Sequence, residues 1–222
     1  MPSRIEPFIN NNIYHIYNKS IDDRIIFNKD CYCNYFLSIA QYYRSGSTRL
    51  GYSQLSKLNS AVLESYLQKI NDRKTFQVQI LAYCLMPTHY HLLIKQIINN
   101  GISHYMANII NSFTRYFNLN TERKGPIFFS DFKSVKINSE VQFTHVSRYI
   151  HLNPYSAGYI KSYKDLKNYL WSSLKNYAYG TCNEILSTKD LMMLFNNDRE
   201  RYIRFVLSNA EYQKTLNITK NS

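Results

Sequence analysis

Two histidines separated by one residue interrupt the otherwise apolar segment LAYCLMPTHYHLLI at residues 81–94. The segment has the composition of a buried strand, in which side chains at positions i and i+2 point to the same side. His89 and His91 are therefore expected to project together, with Tyr90 facing the other way. Two neighbouring imidazoles can share a metal ion, but such a pair also occurs as one core histidine and one solvent-exposed histidine. This pattern alone leaves both interpretations open.

A second group of polar side chains lies on a predicted helix over residues 140–153. Ser139, with Gln142 three residues later, forms a capping box at its start, and Pro154 disfavours continuation at its end. Spacings of three and four residues place a polar stripe on this helix, formed by Gln142, His145, Tyr149 and Asn153. Tyrosine offers a phenolic oxygen as a nucleophile, and asparagine offers a carbonyl oxygen to a hard cation. The same two residues also fit a half-buried aromatic side chain and an ordinary helix end, so spacing does not decide.

The elements that must position these side chains follow from hydrophobic periodicity. Strands are predicted over residues 13–20, 76–86, 89–96 and 133–137. Helices are predicted over residues 29–44, 61–70, 102–118, 140–153, 186–195 and 198–209. The main order of strand, helix, strand, strand, helix, strand, helix is that of a split βαβ arrangement.

The predicted fold class is therefore α+β, with a ferredoxin-like or RRM-like antiparallel sheet. We expect its helices to pack on one face of the sheet, with a helical extension at the C-terminal end. We divide the chain into a first domain over residues 1–160 and an aromatic, helical extension over residues 161–222.

The charge balance favours a polyanionic partner. The chain has 27 Lys and Arg residues against 15 Asp and Glu residues, a net charge of +12, together with 21 tyrosines and 12 phenylalanines. Basic residues interleaved with aromatic residues suit phosphate binding and base stacking. A biased nucleotide composition of the gene gives a similar excess of Asn, Ile, Lys and Tyr, so composition alone does not establish nucleic-acid binding.

The sequence contains neither a membrane segment nor a disulfide framework. No stretch reaches the roughly 20 apolar residues of a membrane helix, and the N-terminus lacks the layout of a signal peptide. We expect a cytoplasmic protein without membrane association. Its cysteines lack the spacing of a disulfide scaffold or a paired zinc site, and we expect reduced thiols at Cys31, Cys33, Cys84 and Cys182.

The segments MPTHYHLLI, SRYIHLNPYSAGYI and WSSLKNYAYG resemble those of the single-tyrosine transposases of the HUH endonuclease superfamily, in particular the REP-associated branch. HUH denotes histidine, hydrophobic residue, histidine, which residues 89–91 match. Further matching segments occur in the same order: YHIYNKSIDDRIIF, NSFTRYFN, KGPIFFSDFKSV, LSTKDLMMLF and DRERYIRFV. The resemblance spans residues 12–207, which is most of the chain.

The resemblance implies that His89 and His91 are metal ligands, that Tyr149 is the nucleophile and that Asn153 is a third, amide ligand. Related insertion-sequence enzymes carry glutamine at the last position, so the asparagine points to the REP-associated branch. The implied function is that of a metal-dependent DNA transposase, with Mg²⁺ or Mn²⁺ as cofactor. Such an enzyme cleaves and rejoins single-stranded DNA with hairpin or palindromic ends through a 5′-phosphotyrosine intermediate, as a monomer or homodimer.

Basic side chains near the matching motifs are candidates for DNA binding: Arg115, Lys124, Lys133, Lys136 and Arg148. Each also fits an ordinary solvated charge. Two other classes stay open. One is a related HUH nicking enzyme, such as a replication initiator or relaxase, which a helicase or other long appended domain would favour. The other is a catalytically decayed or domesticated nucleic-acid-binding protein.

Overall fold

The computed structural model describes residues 7–181 and 183–221, with side chains given through residue 216. One sheet contains the strands β1 (Ile13–Lys19), β2 (Val78–Met86), β3 (His89–Gln96) and β4 (Lys133–Lys136). The α-helices in the described ranges are α1 (Asp30–Tyr42), α2 (Ser60–Asn71), α3 (Gly101–Asn120), α4 (Glu140–Ser156), α5 (Leu174–Tyr179), α6 (Lys189–Met193), α7 (Arg199–Leu207) and α8 (Ala210–Asn221).

The sheet is antiparallel throughout, with the strand order β2-β3-β1-β4. β1 lies between β3 and β4, so Tyr17 is paired with His91 on one side and with Lys133 on the other. This order, with α1 and α3 in the crossover connections, is the split βαβ arrangement. The predicted α+β class is therefore confirmed.

One face of the sheet is covered by α1 and α3. Tyr90, Leu92 and Ile94 of β3 point to this face and join its buried core. The ring of Phe36 on α1 lies 5.0 Å from that of Tyr90, and Phe113 on α3 packs behind it. Alternation along β3 leaves His89, His91 and Leu93 for the opposite face.

The opposite face is covered by α4, which corrects the prediction that helices pack on one face only. Phe143 and Ile150 of α4 are buried in a second core with Cys84 and Leu93 of the sheet. Helices α5, α7 and α8 pack around α4, so residues from the predicted extension share this second core. The physical reason is that the apolar stripe of α4 needs a sheet face of its own, since α1 and α3 already cover the first.

The structure confirms the predicted start of α4 but not its predicted end. Ser139 Oγ accepts a hydrogen bond from the Gln142 backbone N–H at 3.1 Å, as the capping box predicts. The helix then continues through Pro154 to Ser156, so the predicted end at residue 153 was wrong. A proline near the end removes one donor, and the last turn is closed instead by the Ala157 N–H, which donates to the Asn153 carbonyl at 2.9 Å.

Two helices were not predicted. The segment 155–180, in which no helix was predicted, contains α5, and α8 follows the last predicted helix. Cys31, Cys33 and Cys84 are free thiols, as expected, and Cys182 lies outside the described residues. Within the part of the chain that the structure describes, no helix is both long and apolar enough to cross a membrane.

Candidate functional site

The two histidines of the H-x-H pattern lie side by side on the sheet face that α4 covers. The ring centroids of His89 and His91 are 5.1 Å apart. Tyr90 is fully buried on the opposite face, as the strand alternation predicted. The histidine pair is therefore directed at α4, and Tyr90 serves as core packing.

A third histidine, which the sequence analysis missed, contacts this pair. His15 of β1 is buried, and its Nε2 lies 2.9 Å from Nδ1 of His91. The sequence signal is the alternation in IYHIYNK, which places residue 15 on the same face as Tyr17. That alternation does not predict the pairing of β1 with β3, which brings His15 to His91.

Hydrogen bonding and burial together determine the protonation of these imidazoles and which ring nitrogen of each is free. His89 Nδ1 lies 3.0 Å from the Thr88 hydroxyl, and His91 Nδ1 is bonded to His15, so Nε2 is the atom of each that can face a metal ion. Burial lowers the pKa of His89 and of His15 to about 4. It lowers the pKa of His91 well below its usual value, with further contributions from the two neighbouring histidines. All three are therefore neutral at pH 7, the form in which imidazole binds metals.

Tyr149 of α4 stands over the histidines. Its ring centroid lies 5.7 Å from that of His91 and 5.9 Å from that of His15, in both cases edge to face. Burial raises the pKa of the Tyr149 phenol, the nearby Tyr17 adds to the shift, and the Asn153 side chain opposes it. Tyr17 itself lies 5.8 Å from the His91 ring, so the site contains two tyrosines.

The backbone of Tyr149 is held by two side-chain amides. Asn153 Nδ2 donates to the Tyr149 carbonyl at 2.9 Å, and Gln213 Nε2 of α8 donates to the same oxygen at 3.1 Å. The predicted third ligand therefore uses its amide nitrogen within the protein, and Oδ1 is the atom it can offer to a cation. Gln213, which sequence reasoning missed, fastens α8 to the turn of α4 that carries the tyrosine.

A buried polar network fixes α4 against its other neighbours. His151 is fully buried, with Nδ1 2.7 Å from the Tyr202 hydroxyl of α7 and Nε2 2.8 Å from Ser173 Oγ. Ser173 Oγ in turn accepts from the Tyr83 N–H of β2 at 2.9 Å. Burial lowers the pKa of His151 to about 3. His151 lies two residues after Tyr149. Through neutral groups, this network connects α4 to α7 and to the sheet.

The other members of the predicted polar stripe point elsewhere. Gln142 Oε1 accepts from the Asn138 N–H at 2.7 Å and so caps the helix. His145 is exposed and lies 5.8 Å from the Phe205 ring of α7. Of the four stripe residues, Tyr149 is the one whose ring contacts the histidines, and Asn153 lies one turn further along the same helix.

The predicted DNA-binding residues are distributed over several surfaces. Lys133 shares a row of the sheet with Tyr17 and His91, whereas Lys136 alternates to the other face. The Arg148 guanidinium stacks at 4.5 Å over the Phe205 ring, which joins α4 to α7. The remaining two, Arg115 on α3 and Lys124 just beyond it, are exposed on the α1 and α3 side of the sheet.

No group of three or more His, Cys, Asp or Glu side chains suited to a metal ion occurs in the described residues. The predicted ligand set contains only two such residues, because its third member is an amide. The neutral histidines and the Asn153 carbonyl oxygen are nevertheless donor types that Mn²⁺ accepts, and Mg²⁺ accepts the oxygen more readily than the nitrogens.

These features define a class: a four-stranded, ferredoxin-like α+β protein with a histidine pair on its sheet and a helical tyrosine facing that pair. Residues 52–153 match the family model for IS200-like transposases, so this segment of the chain is similar to that family. The match includes His89, His91, Tyr149 and Asn153, whereas His15 precedes it.

The fold is also found among solved structures. One is that of a REP-associated tyrosine transposase bound to a REP hairpin, with a TM-score of 0.53 and 15% sequence identity. The match covers 84% of this chain and 92% of that chain. No curated protein matches the sequence. The resemblance noted in the sequence is thus confirmed by the family model and by the fold.

Proposed function

We propose that this protein is a metal-dependent transposase that cleaves and rejoins single-stranded DNA, with Tyr149 as nucleophile. The observation that carries the proposal is the position of the Tyr149 ring, 5.7 Å from that of His91 on a helix held by buried hydrogen bonds. The family match and the net charge of +12 support DNA as the substrate.

The protein groups have distinct roles. The Tyr149 phenolic oxygen attacks the scissile phosphorus, a tyrosine–phosphate bond forms and the bond to the 3′ oxygen breaks. The phenolic proton is lost and the leaving oxygen gains a proton, which leaves a 5′-phosphotyrosine and a free 3′-hydroxyl. Attack by a second 3′-hydroxyl reverses the step and joins the strands.

A divalent cation, Mg²⁺ or Mn²⁺, would be held by His89, His91 and Asn153. When bound, such an ion supplies Lewis-acid polarisation of the scissile phosphate. The low pKa values of the histidines keep them uncharged and available as ligands, and the contacts at Nδ1 direct Nε2 toward that role.

The test is the covalent adduct. Hairpin-bearing single strands from the DNA that flanks the gene are labelled and incubated with the protein and Mn²⁺ or Mg²⁺, and denaturing electrophoresis then detects protein–DNA adducts. The native chain is expected to form an adduct that EDTA abolishes and Tyr149→Phe lacks. Tyr90→Phe is the matched control, since that ring lies in the core on the other face of the sheet. An adduct that persists in Tyr149→Phe would contradict the assignment of the nucleophile, and binding without any adduct would favour a decayed or domesticated DNA-binding protein.

A further inference from the structure

A cavity of about 440 Å³ lies beside the histidines, where β1 meets the segment that leads into β4. Its walls include two aromatic rings, Tyr17 and Phe129, and two lysines, Lys19 and Lys133. The volume lies in the range of small-molecule sites, so it accommodates a nucleobase with its sugar.

The strand register connects this cavity to the histidines. Tyr17 is paired with both His91 and Lys133, so these three side chains form one row across the sheet. Lys19 is paired with His89 in the next row, and the Phe129 N–H donates to the Lys19 carbonyl at 3.2 Å. Adjacent strands lie about 4.8 Å apart, so the cavity begins within about 10 Å of the histidine pair.

Phe129 is presented to solvent on the face that carries the histidines. Its neighbour Phe128 pairs with Ser20, and both are buried on the face covered by α1 and α3. Alternation therefore directs Phe129 to the histidine face, where it is 53% exposed. Buried Asn18 donates from Nδ2 to the Phe129 carbonyl at 3.0 Å, which fixes the backbone that carries this ring.

Isolated exposed apolar residues are common on protein surfaces and by themselves require no explanation. Phe129 differs because it shares a cavity with a second aromatic ring and two lysines. Successive bases of single-stranded nucleic acids stack on such aromatic side chains, and basic groups hold the adjoining phosphates. Asp131 also lines the cavity and Asp23 is ion-paired with Lys19, so carboxylates offset much of the lysine charge. This favours an uncharged base over a phosphate as the occupant.

We propose that this cavity binds one unpaired nucleobase next to the scissile phosphate, with Phe129 as its stacking surface. Lys133 contacts a phosphate that adjoins this base, whereas Lys19 is ion-paired with Asp23. The inference rests on the proposed function, because it takes single-stranded DNA as the ligand of the neighbouring site.

The experiment measures stacking separately from catalysis. Hairpin-bearing strands that form the Tyr149 adduct are synthesised with 2-aminopurine at successive positions around the cleavage site. Fluorescence is recorded on binding to the Tyr149→Phe chain, with or without Phe129→Ala, Phe129→Trp or Tyr179→Ala. Tyr179 is a matched control, since its ring is 56% exposed on α5. Thermal unfolding of each variant checks that the fold is retained.

The expected result is quenching at one position, lost in Phe129→Ala, retained in Phe129→Trp and unaffected by Tyr179→Ala. Affinity is expected to fall about 5- to 150-fold in Phe129→Ala, the effect of removing one stacked base. Adduct formation by the native chain, combined with unchanged affinity and quenching in Phe129→Ala, would overturn the base cavity and leave the proposed function intact. Absence of both the adduct and binding in the native chain would overturn both.

Discussion

Replacing His15 by leucine tests whether this residue positions His91 for a metal ion. The substitution removes the ring nitrogen 2.9 Å from His91 Nδ1 in a site where His91 is 5% exposed. If His91 binds a metal through Nε2, its Nδ1 carries the proton and His15 Nε2 is the acceptor. A buried donor left without a partner destabilises a protein by about 1–3 kcal/mol, and loss of the group that orients a metal-binding histidine lowers metal affinity by about 10- to 100-fold. The free energy of unfolding of the metal-free chain should fall by the first amount, and Mn²⁺ affinity by the second.

Urea unfolding followed by circular dichroism gives the stability, and electron paramagnetic resonance of free Mn²⁺ gives the affinity without DNA. His15→Gln, which keeps an acceptor oxygen, should recover part of the Mn²⁺ affinity, and His104→Ala, at an exposed position of α3, should change neither quantity. The reasoning is refuted if His15→Leu lowers stability but binds Mn²⁺ as tightly as the native chain, because His15 would then only fill space.

Three further predictions follow from the charges and pKa shifts. Because burial raises the pKa of Tyr149, the ionised nucleophile is scarce at neutral pH, and the rate of adduct formation should rise between pH 7 and 9; a flat rate profile would contradict this. Burial lowers the pKa of His151 to about 3 in the folded chain, whereas the unfolded chain binds this proton near pH 6.5. Acid therefore favours the unfolded chain, and this one group should lower the free energy of unfolding by roughly 3 kcal/mol at pH 4.5 relative to neutral pH. Its NMR signals should show the neutral ring at pH 5, and titration with a midpoint near 6.5 would refute the network. Lys133→Ala should reduce the slope of log binding constant against log salt concentration for single strands by about 0.7. Arg115→Ala should reduce this slope only if the DNA also reaches the α3 side of the sheet.

The parts of the fold that the sequence predicted are those set by local patterns. Alternation in HYHLLI placed His89 and His91 on one face and Tyr90 on the other, and the spacing of apolar residues identified α1, α3 and α4. The capping box at Ser139 also specified the start of α4, because both partners lie within one turn.

The parts that the sequence did not predict depend on contacts between distant segments. The pairing of β1 with β3 brings His15 to His91 across 76 positions, and the hydrogen bond from Gln213 to the Tyr149 carbonyl spans 64 positions. The placing of α4 on the second sheet face depends on α1 and α3 filling the first. The short helix α5 lies in a segment whose aromatic residues gave no clear period, and it is packed against α7.

The central claim is that Tyr149 forms a covalent bond with DNA, and mass spectrometry of the trapped adduct tests it most directly. The adduct is digested with protease and nuclease, and the modified peptide is sequenced. A nucleotide attached through a 5′-phosphate to Tyr149, in the peptide that contains RYIHLNP, is the predicted result. Attachment to Tyr17, the other tyrosine beside the histidines, or to any other residue would contradict the account.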